Sequence, residues 1–373
     1  MKKVTINGVI HEFTGELGDC LATIINEELN KKETNIYAIT LEGGVIYNIY
    51  TPITSLMDAQ SEVIIIGNHA TIIDNFLPYN VPSSSLTIDE IYDYQNNSYA
   101  IDFPLNPDLG LTEQADKRVV IKNLNIKGNC SAIRIQGSYA TIIEDVTIYD
   151  MKNGIDIEFG LQTIINKCRI HYRSTAIKLG IIGNDYNRTQ SNVSEVTNTR
   201  IYALAATGNL QKDCENGLVI ESSNLVKVEG FITEGSTVES GIKVLNEAST
   251  VQNIEFKRCH FENSLYNVAA LHFDAMWLGD VVIDQMYYSG VNGLAIKSDL
   301  RQGYTSVTLR NMGWIGKWKI DQKTKPNSNM AVTTWWRVDS INNQVADLQK
   351  WNKIFYSAKP YYFYINSSRK YIL

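Results

Sequence analysis

The sequence predicts an all-β fold, a right-handed single-stranded parallel β-helix, and three observations carry that prediction. The first is a beat of 22 residues: VVIKNLNI at Val119–Ile126 places Val119, Ile121, Leu124 and Ile126 at the apolar positions of φ-x-φ-x-x-φ-x-φ, and steps of 22 lead to TIIEDVTI (Thr141–Ile148) and TIINKCRI (Thr163–Ile170). The second is a companion strand on the same beat, AIRI at Ala132–Ile135, GIDI at Gly154–Ile157 and AIKL at Ala176–Leu179. The third is that each unit holds short alternating runs and no helical period, so it cannot bury an apolar face without stacking on its neighbours. Parallel crossovers are right-handed in nearly all sheets, which sets the hand.

The elements follow in chain order. Residues 1–36 form an N-terminal cap, in which Asp19 caps a short helix whose Leu21, Ile24, Ile25 and Leu29 make one apolar face. Such a cover shields the first coil, whose open strand edge and bare core invite aggregation. Strands at Tyr37–Leu41, Val45–Ile49, Val63–Ile66 and Ala70–Ile73 begin the helix, which is expected to run over residues 37–320. An excursion at 77–118 interrupts it, marked by Pro78, Pro82, Pro104 and Pro107, with a helical turn near Leu86–Tyr94. Beyond Leu179 the spacing drifts to between 23 and 31 residues, so extra residues leave as loops, the longest at Ile181–Asn192 and Ala203–Asn216, expected on one side of the rod. The beat stops after Ile320, and residues 321–373 read as a linker and an aromatic-rich C-terminal cap or oligomerisation segment.

A net charge of −6 and pI near 5.5 argue against a nucleic-acid partner, which calls for a basic face. The five cysteines contain no CxxC pair, and Cys168 and Cys259 fall at inward positions, as small buried hydrophobes do. The start, MKKVTINGVIHEF, has no apolar h-region, and no run approaches the length of a membrane span, so neither a signal peptide nor membrane insertion is expected. His260 has no second histidine at ligand spacing; no metal and no cofactor are expected.

Alternation along the companion strand yields the candidate site. Its outward column reads Arg134, Asp156, Lys178, Val219, Lys243, His272 and Ala295, and the next reads Gln136, Glu158, Gly180, Glu221, Leu245, Asp274 and Lys297. Asp156 and Glu158 lie two apart, with Cα atoms roughly 6.5–7 Å apart on an extended strand, a spacing compatible with the acid and base of an inverting hydrolase. Phe159 would stack on a sugar, and Arg134 and Lys178 would orient an acidic saccharide. His272, Asp274 and Trp277 form a second candidate glycan-binding trio. The competing reading is a charge ladder on a solvated face, with Trp277 sealing a loop. The column of Asp145 also holds Asn123, Asn198 and Asn311, which points to left-handed bends.

The N-terminal helix, the strand LEGGVIYNI, the phrase VIIIGNHATII and the repeated coils together resemble the pectate-lyase-like β-helix superfamily, over roughly Asp19 to Ile320. In style they are closest to bacteriophage tailspike and appendage proteins. The chain lacks the NTD, DD, GHG and RIK quartet of polygalacturonases and the RxPxxR motif of pectate lyases. The resemblance implies a virion appendage, made in the host cytoplasm, that binds a host cell-surface polysaccharide and other virion proteins. It also implies a homotrimer, with Met330–Leu373 supplying much of the contact. A polysaccharide depolymerase, hydrolase or lyase, is the alternative on the same fold, and a purely structural virion component is the third.

Overall fold

In a computed structural model of the chain, three parallel faces stack strand upon strand into a β-helix. The structure describes residues 1–76, 98–183, 188–204, 214–235, 238–247, 252–262, 266–275, 278–288, 294–300 and 303–310, with the backbone of short strands at 320–322, 332–338, 355–356 and 363–365. The first face begins with β3 (Ile36–Leu41), continues through the first halves of the long bent strands Glu62–Asp74, Arg118–Lys127 and Ile142–Met151, and runs on to Gly303–Arg310. The second face holds Ile46–Ile49, the second halves of those bent strands, and then Arg169–Tyr172 to Tyr287–Tyr288. The third starts at Ile53–Thr54 and Tyr99–Phe103 and includes Ser131–Tyr139, Ile155–Leu161 and Thr175–Gly180.

Register follows the 22-residue beat. Ile143 pairs with Ile121 on one side and Ile165 on the other, and Ile155 lies between Ile133 and Ile177. All six are fully buried, so the inward ladders join one continuous core. The bend between the first two faces is made by Asn123, Asp145, Lys167, Asn198, Gly230, Arg258 and Gln285, all left-handed with φ between 48° and 63°. The expected Asn and Asp bend column is therefore present, and it also takes Lys, Arg and Gln. Asn311 lies outside the described residues. A second left-handed column, Ala140, Gln162, Val193 and Leu225, leads into the first face.

The cap differs from the expectation in two ways. It opens with an antiparallel hairpin, β1 (Lys2–Ile6) and β2 (Val9–Phe13), turned at Asn7–Gly8 with φ of 49° and 83°. Strand β1 pairs antiparallel with β3 and so covers the edge of the first face; every other strand-to-strand pairing among the described residues is parallel. Helix α1 spans Leu21–Lys31 and buries Leu21, Ala22, Ile25 and Leu29. Its N-cap is Cys20, not Asp19, because Asp19 is engaged in the preceding turn, where its carboxylate accepts the Thr14 N–H at 2.7 Å. Asn26 on α1 bonds the carbonyl of Pro52 (2.8 Å) and the N–H of Thr54 (2.9 Å), satisfying backbone groups at the first edge of the third face.

Three further boundaries are corrected. Tyr99–Phe103, assigned above to the excursion, is a regular third-face strand paired with Ser131–Ile135; the turn expected near Leu86–Tyr94 lies outside the described residues. The following segment carries the short helix α2 (Leu111–Gln114) and is fastened by Lys117, buried with Nζ donating to Gln114 Oε1 (2.7 Å) and the Gln136 carbonyl (3.1 Å). Burial lowers the Lys117 pKa to about 8. The insertions leave at two corners: the one after Gly180 joins the third face to the first, whereas the one after Ala203 joins the second to the third. Finally, strand pairing continues past residue 320, with Val332–Val338 parallel to Gly303–Leu309 and Phe363–Ile365 parallel to Trp336–Val338. Backbone pairing persists there although the Ile/Val signature does not.

The five cysteines are free and buried. No helix among the described residues is long and apolar enough to cross a membrane.

Two outcomes are expected. Ile143→Asp buries an unpaired charge and should abolish soluble folded protein, whereas Ile142→Asp, on the outward side of the same strand, should leave a cooperative melting transition. Equal behaviour of the two in thermal melts would refute the register. Val193 is β-branched, exposed and left-handed (φ 55°). Val193→Asn should therefore raise the unfolding free energy by about 1 kcal/mol in urea titration.

Candidate functional site

Stacking one coil per strand puts the outward side chains of the third face in rows. The first row runs Asp102, Arg134, Asp156, Lys178, Val219, Lys243, His272 and Lys297, in unbroken register. Lys297 thus belongs to this row, and Ala295 lies buried in the core opposite Ala270, two residues from the expected alignment. The second row holds Gln136, Glu158, Gly180, Glu221, Leu245 and Asp274.

The cations of this face are neutralised within it. Arg134 grips Asp102 through two bonds of 2.9 and 2.7 Å and lies over the Tyr99 ring at 4.8 Å. Lys178 sits 3.2 Å from Glu221 and 3.7 Å from Glu158, whose other oxygen accepts from Gln136 at 2.5 Å. Lys243 is 3.8 Å from Asp274, and Lys297 is 2.8 Å from Asp299. A bidentate, partly buried arginine pair of this kind orders its strands firmly and leaves little free charge for a ligand.

Asp156 and Glu158 do come together on one side of the strand, but in unlike surroundings. Asp156 is 5% exposed, and the Tyr99 hydroxyl donates to its Oδ2. Burial is the main cause that raises its pKa to about 6, with the Tyr99 bond opposing. Desolvation also raises buried Asp74, again to about 6, although it accepts the N–H groups of Asn129 and Cys130.

The other expected residues fare differently. Phe159 is buried, with left-handed φ of 58° at a corner stacked on Gly137, so its ring is covered and not offered to a sugar. His272 is also buried, 3.0 Å from Asp299, and burial lowers its pKa. Asp299, just beyond the strand of the next coil, closes over it. Asp274 keeps partial exposure; Trp277 lies outside the described residues.

The second face carries a set of residues that the sequence reading passed over. Its outward row runs Lys127, Tyr149, His171, Tyr202: Lys127 pairs with Tyr149 and His171 with Tyr202 in register, and Tyr149 meets His171 by ring contact at an irregularity that follows Ile148. Tyr149 is 39% and Tyr202 41% exposed, and His171 lies between them with centroid distances of 5.5 and 5.4 Å. The rings are tilted by 57° and 35°, so they do not cover one another as flat stacks would. The neighbouring row holds Arg169 and Arg200, and further along His260 meets the exposed Tyr287 edge-on at 4.3 Å. The signal was available: the residues after the inward Ile126, Ile148, Ile170 and Ile201 are Lys127, Tyr149, His171 and Tyr202, once the second-face strand is read outward as well as inward.

One pH effect follows from Asp156. Its folded pKa lies above the ordinary carboxylate value of 3.8, so the proton is held more tightly in the folded state. That contribution is full below pH 3.8 and is lost as pH rises through about 6. Asp156→Asn should therefore be more stable than the parent at pH 7, by of order 1–3 kcal/mol, with the difference vanishing near pH 4. Denaturant titrations at the two pH values check this; a pH-independent difference would contradict it.

No family model matches the chain, and no curated protein sequence matches it. Among solved structures, it is similar to the crystal structure of PfbA, a surface adhesin of Streptococcus pneumoniae, at 10% identity, covering 80% of this chain and 78% of that one with a TM-score of 0.42.

Proposed function

We propose that the chain is a glycan-binding β-helix of the virion-appendage kind, a right-handed coil presenting its faces to a host cell-surface polysaccharide. The observation that carries this reading is the exposed Tyr149–His171–Tyr202 row on the second face. Aromatic side chains offer an apolar body to the C–H face of a pyranose and a polar tip to its hydroxyls, and a rigid ladder presents them with little ordering entropy. Motif style supports the phage setting. Trimeric packing of three rods, alongside other virion proteins, is supported by the aliphatic row of the first face, where Ile64, Val120, Ile142 and Ile164 align in register, Ile164 exposed, Ile64 and Ile142 half-buried and Val120 buried. The C-terminal segment remains a further candidate contact, and its side chains lie outside the described residues.

A polysaccharide depolymerase is the second reading, favoured by Asp156, which retains its proton to about pH 6 beside Glu158. Tyr99 would have to swing away before Asp156 could protonate a leaving group.

Binding of the full chain to a panel of bacterial capsular and O-antigen polysaccharides, with chain length followed over time, tests both. The expected result is saturable binding that Tyr149→Ala with Tyr202→Ala weakens at least tenfold, without shortening of the polymer. Shortening that Asp156→Asn abolishes would establish the depolymerase instead. Light scattering should give three times the mass of 42.1 kDa; a monodisperse monomer at micromolar concentration would end the trimeric appendage reading.

A further inference from the structure

We propose that the second-face strip selects an anionic glycan, with Arg169 as the residue that receives the acidic group of the sugar. This rests on the glycan-binding reading above and adds the chemical class of ligand. On the third face each cation of the row has a carboxylate partner. On the first face Lys122 and Lys167 share Glu144, and Lys227, Lys257 and Arg258 share Glu229. On the second face Arg200 is held by Glu234 through bonds of 2.7 and 2.6 Å. Arg169, exposed and paired in register with Arg200, has no ion-pair partner among the described residues, and neither does Lys127 at the head of the aromatic row.

A solitary surface arginine would mean little by itself. Its position supplies the second observation. Arg169 lies two residues before His171 on the same strand, and so on the same outward side, and the exposed Tyr149 and Tyr202 flank that coil on either side. A guanidinium is planar, permanently charged and able to take a carboxylate through two parallel N–H bonds. Tyrosine hydroxyls and the imidazole add donors and acceptors for sugar hydroxyls at the same level of the rod. In a chain of net charge −6, the strip is a place where unpaired positive charge and exposed aromatic surface coincide. A neutral glycan would leave Arg169 unused, whereas an acidic sugar engages both features.

The test is calorimetric titration of the full chain with three polymers: alginate as a uronate glycan, dextran as a neutral glycan, and poly(dT) as a polyanion without a pyranose backbone. Alginate should bind, dextran and poly(dT) should bind at least tenfold more weakly, and added salt should weaken alginate binding. Arg169→Gln should lower alginate affinity about tenfold with the melting temperature unchanged, and Arg169→Lys should recover part of it. Equal binding of dextran and alginate, both indifferent to Arg169→Gln, would overturn the anionic class and leave the glycan-binding reading standing. Equal binding of poly(dT) and alginate would mean a general polyanion surface and would overturn the proposal. Failure of alginate and of every polysaccharide in the wider panel would remove the glycan-binding reading itself.

Discussion

The whole molecule depends on in-register parallel stacking, in which every side chain lies one coil above another from the same position of the repeat. Stacked strands are about 4.8 Å apart, so a residue type that suits one coil must suit the whole column or be compensated by its neighbours. Inward, the solution is aliphatic. Where the second face turns into the third, the column is small: Ala132, Gly154, Ala176, Gly217, Gly241, Ala270 and Ala295. A Cβ on Gly154 would lie 2.3 Å from the Ala176 carbonyl oxygen, and one on Gly217 would lie 2.3 Å from that of Gly241. Close backbone approach at that bend, more than hydrophobicity, dictates the first residue of AIRI, GIDI, GLVI and GIKV.

Outward, the same constraint sets the electrostatics. Like charges repeated at one position would repel along the full length of the rod. The third face avoids this by alternating sign, Asp102 to Arg134 to Asp156 to Lys178, and by crossing to the adjacent row, where Glu158 and Glu221 flank Lys178. Partial burial makes these pairs stringent: removing one partner strands the other in a poorly solvated place. Asp156 shows the limit of the scheme. Among the described residues it has no cation at ion-pair distance, only the Tyr99 hydroxyl and the more distant fields of Lys178 and Arg134, and burial raises its proton affinity. The face first marked as a binding surface is, for the most part, a means of keeping strands aligned.

Legibility in the sequence tracks the strength of this column constraint. Where the beat is 22 and the inward residues are Ile, Leu or Val, the ladders were readable to the residue, as with Ile121, Ile143 and Ile165. The register slip at residues 294–298 arose because Ser298 occupies the inward place held by Ile135, Leu179 and Phe273. Ala295-Ile296-Lys297 in fact repeats Ala132-Ile133-Arg134, and the small-residue column identifies it. The N-terminal hairpin was missed for a different reason. Its Asn7-Gly8 turn between alternating apolar residues is a strong local hairpin signal, but it sits outside the repeat, and a reading tuned to periodicity gives it no weight. The burial of Phe159 and His272 was not readable at all, because what covers them comes from neighbouring coils and corners that no strand pattern encodes.

The contrast between faces is what gives the rod a direction of interaction. Within the stack each strand pairs with a strand on either side, so recognition on the faces must come from side chains. The third face spends its charges internally, and the first is aliphatic over its N-terminal coils, with Ile64, Val120, Ile142 and Ile164, before changing to Glu195, Lys227 and Glu255 in the same row. The second face has exposed rings and an arginine with no carboxylate partner among the described residues. A side-by-side assembly that buried the aliphatic row of the first face would leave the second turned toward solvent, since the faces of a three-sided coil point in different directions. Packing and ligand recognition are thereby assigned to separate surfaces, and neither requires the other to compromise its residues.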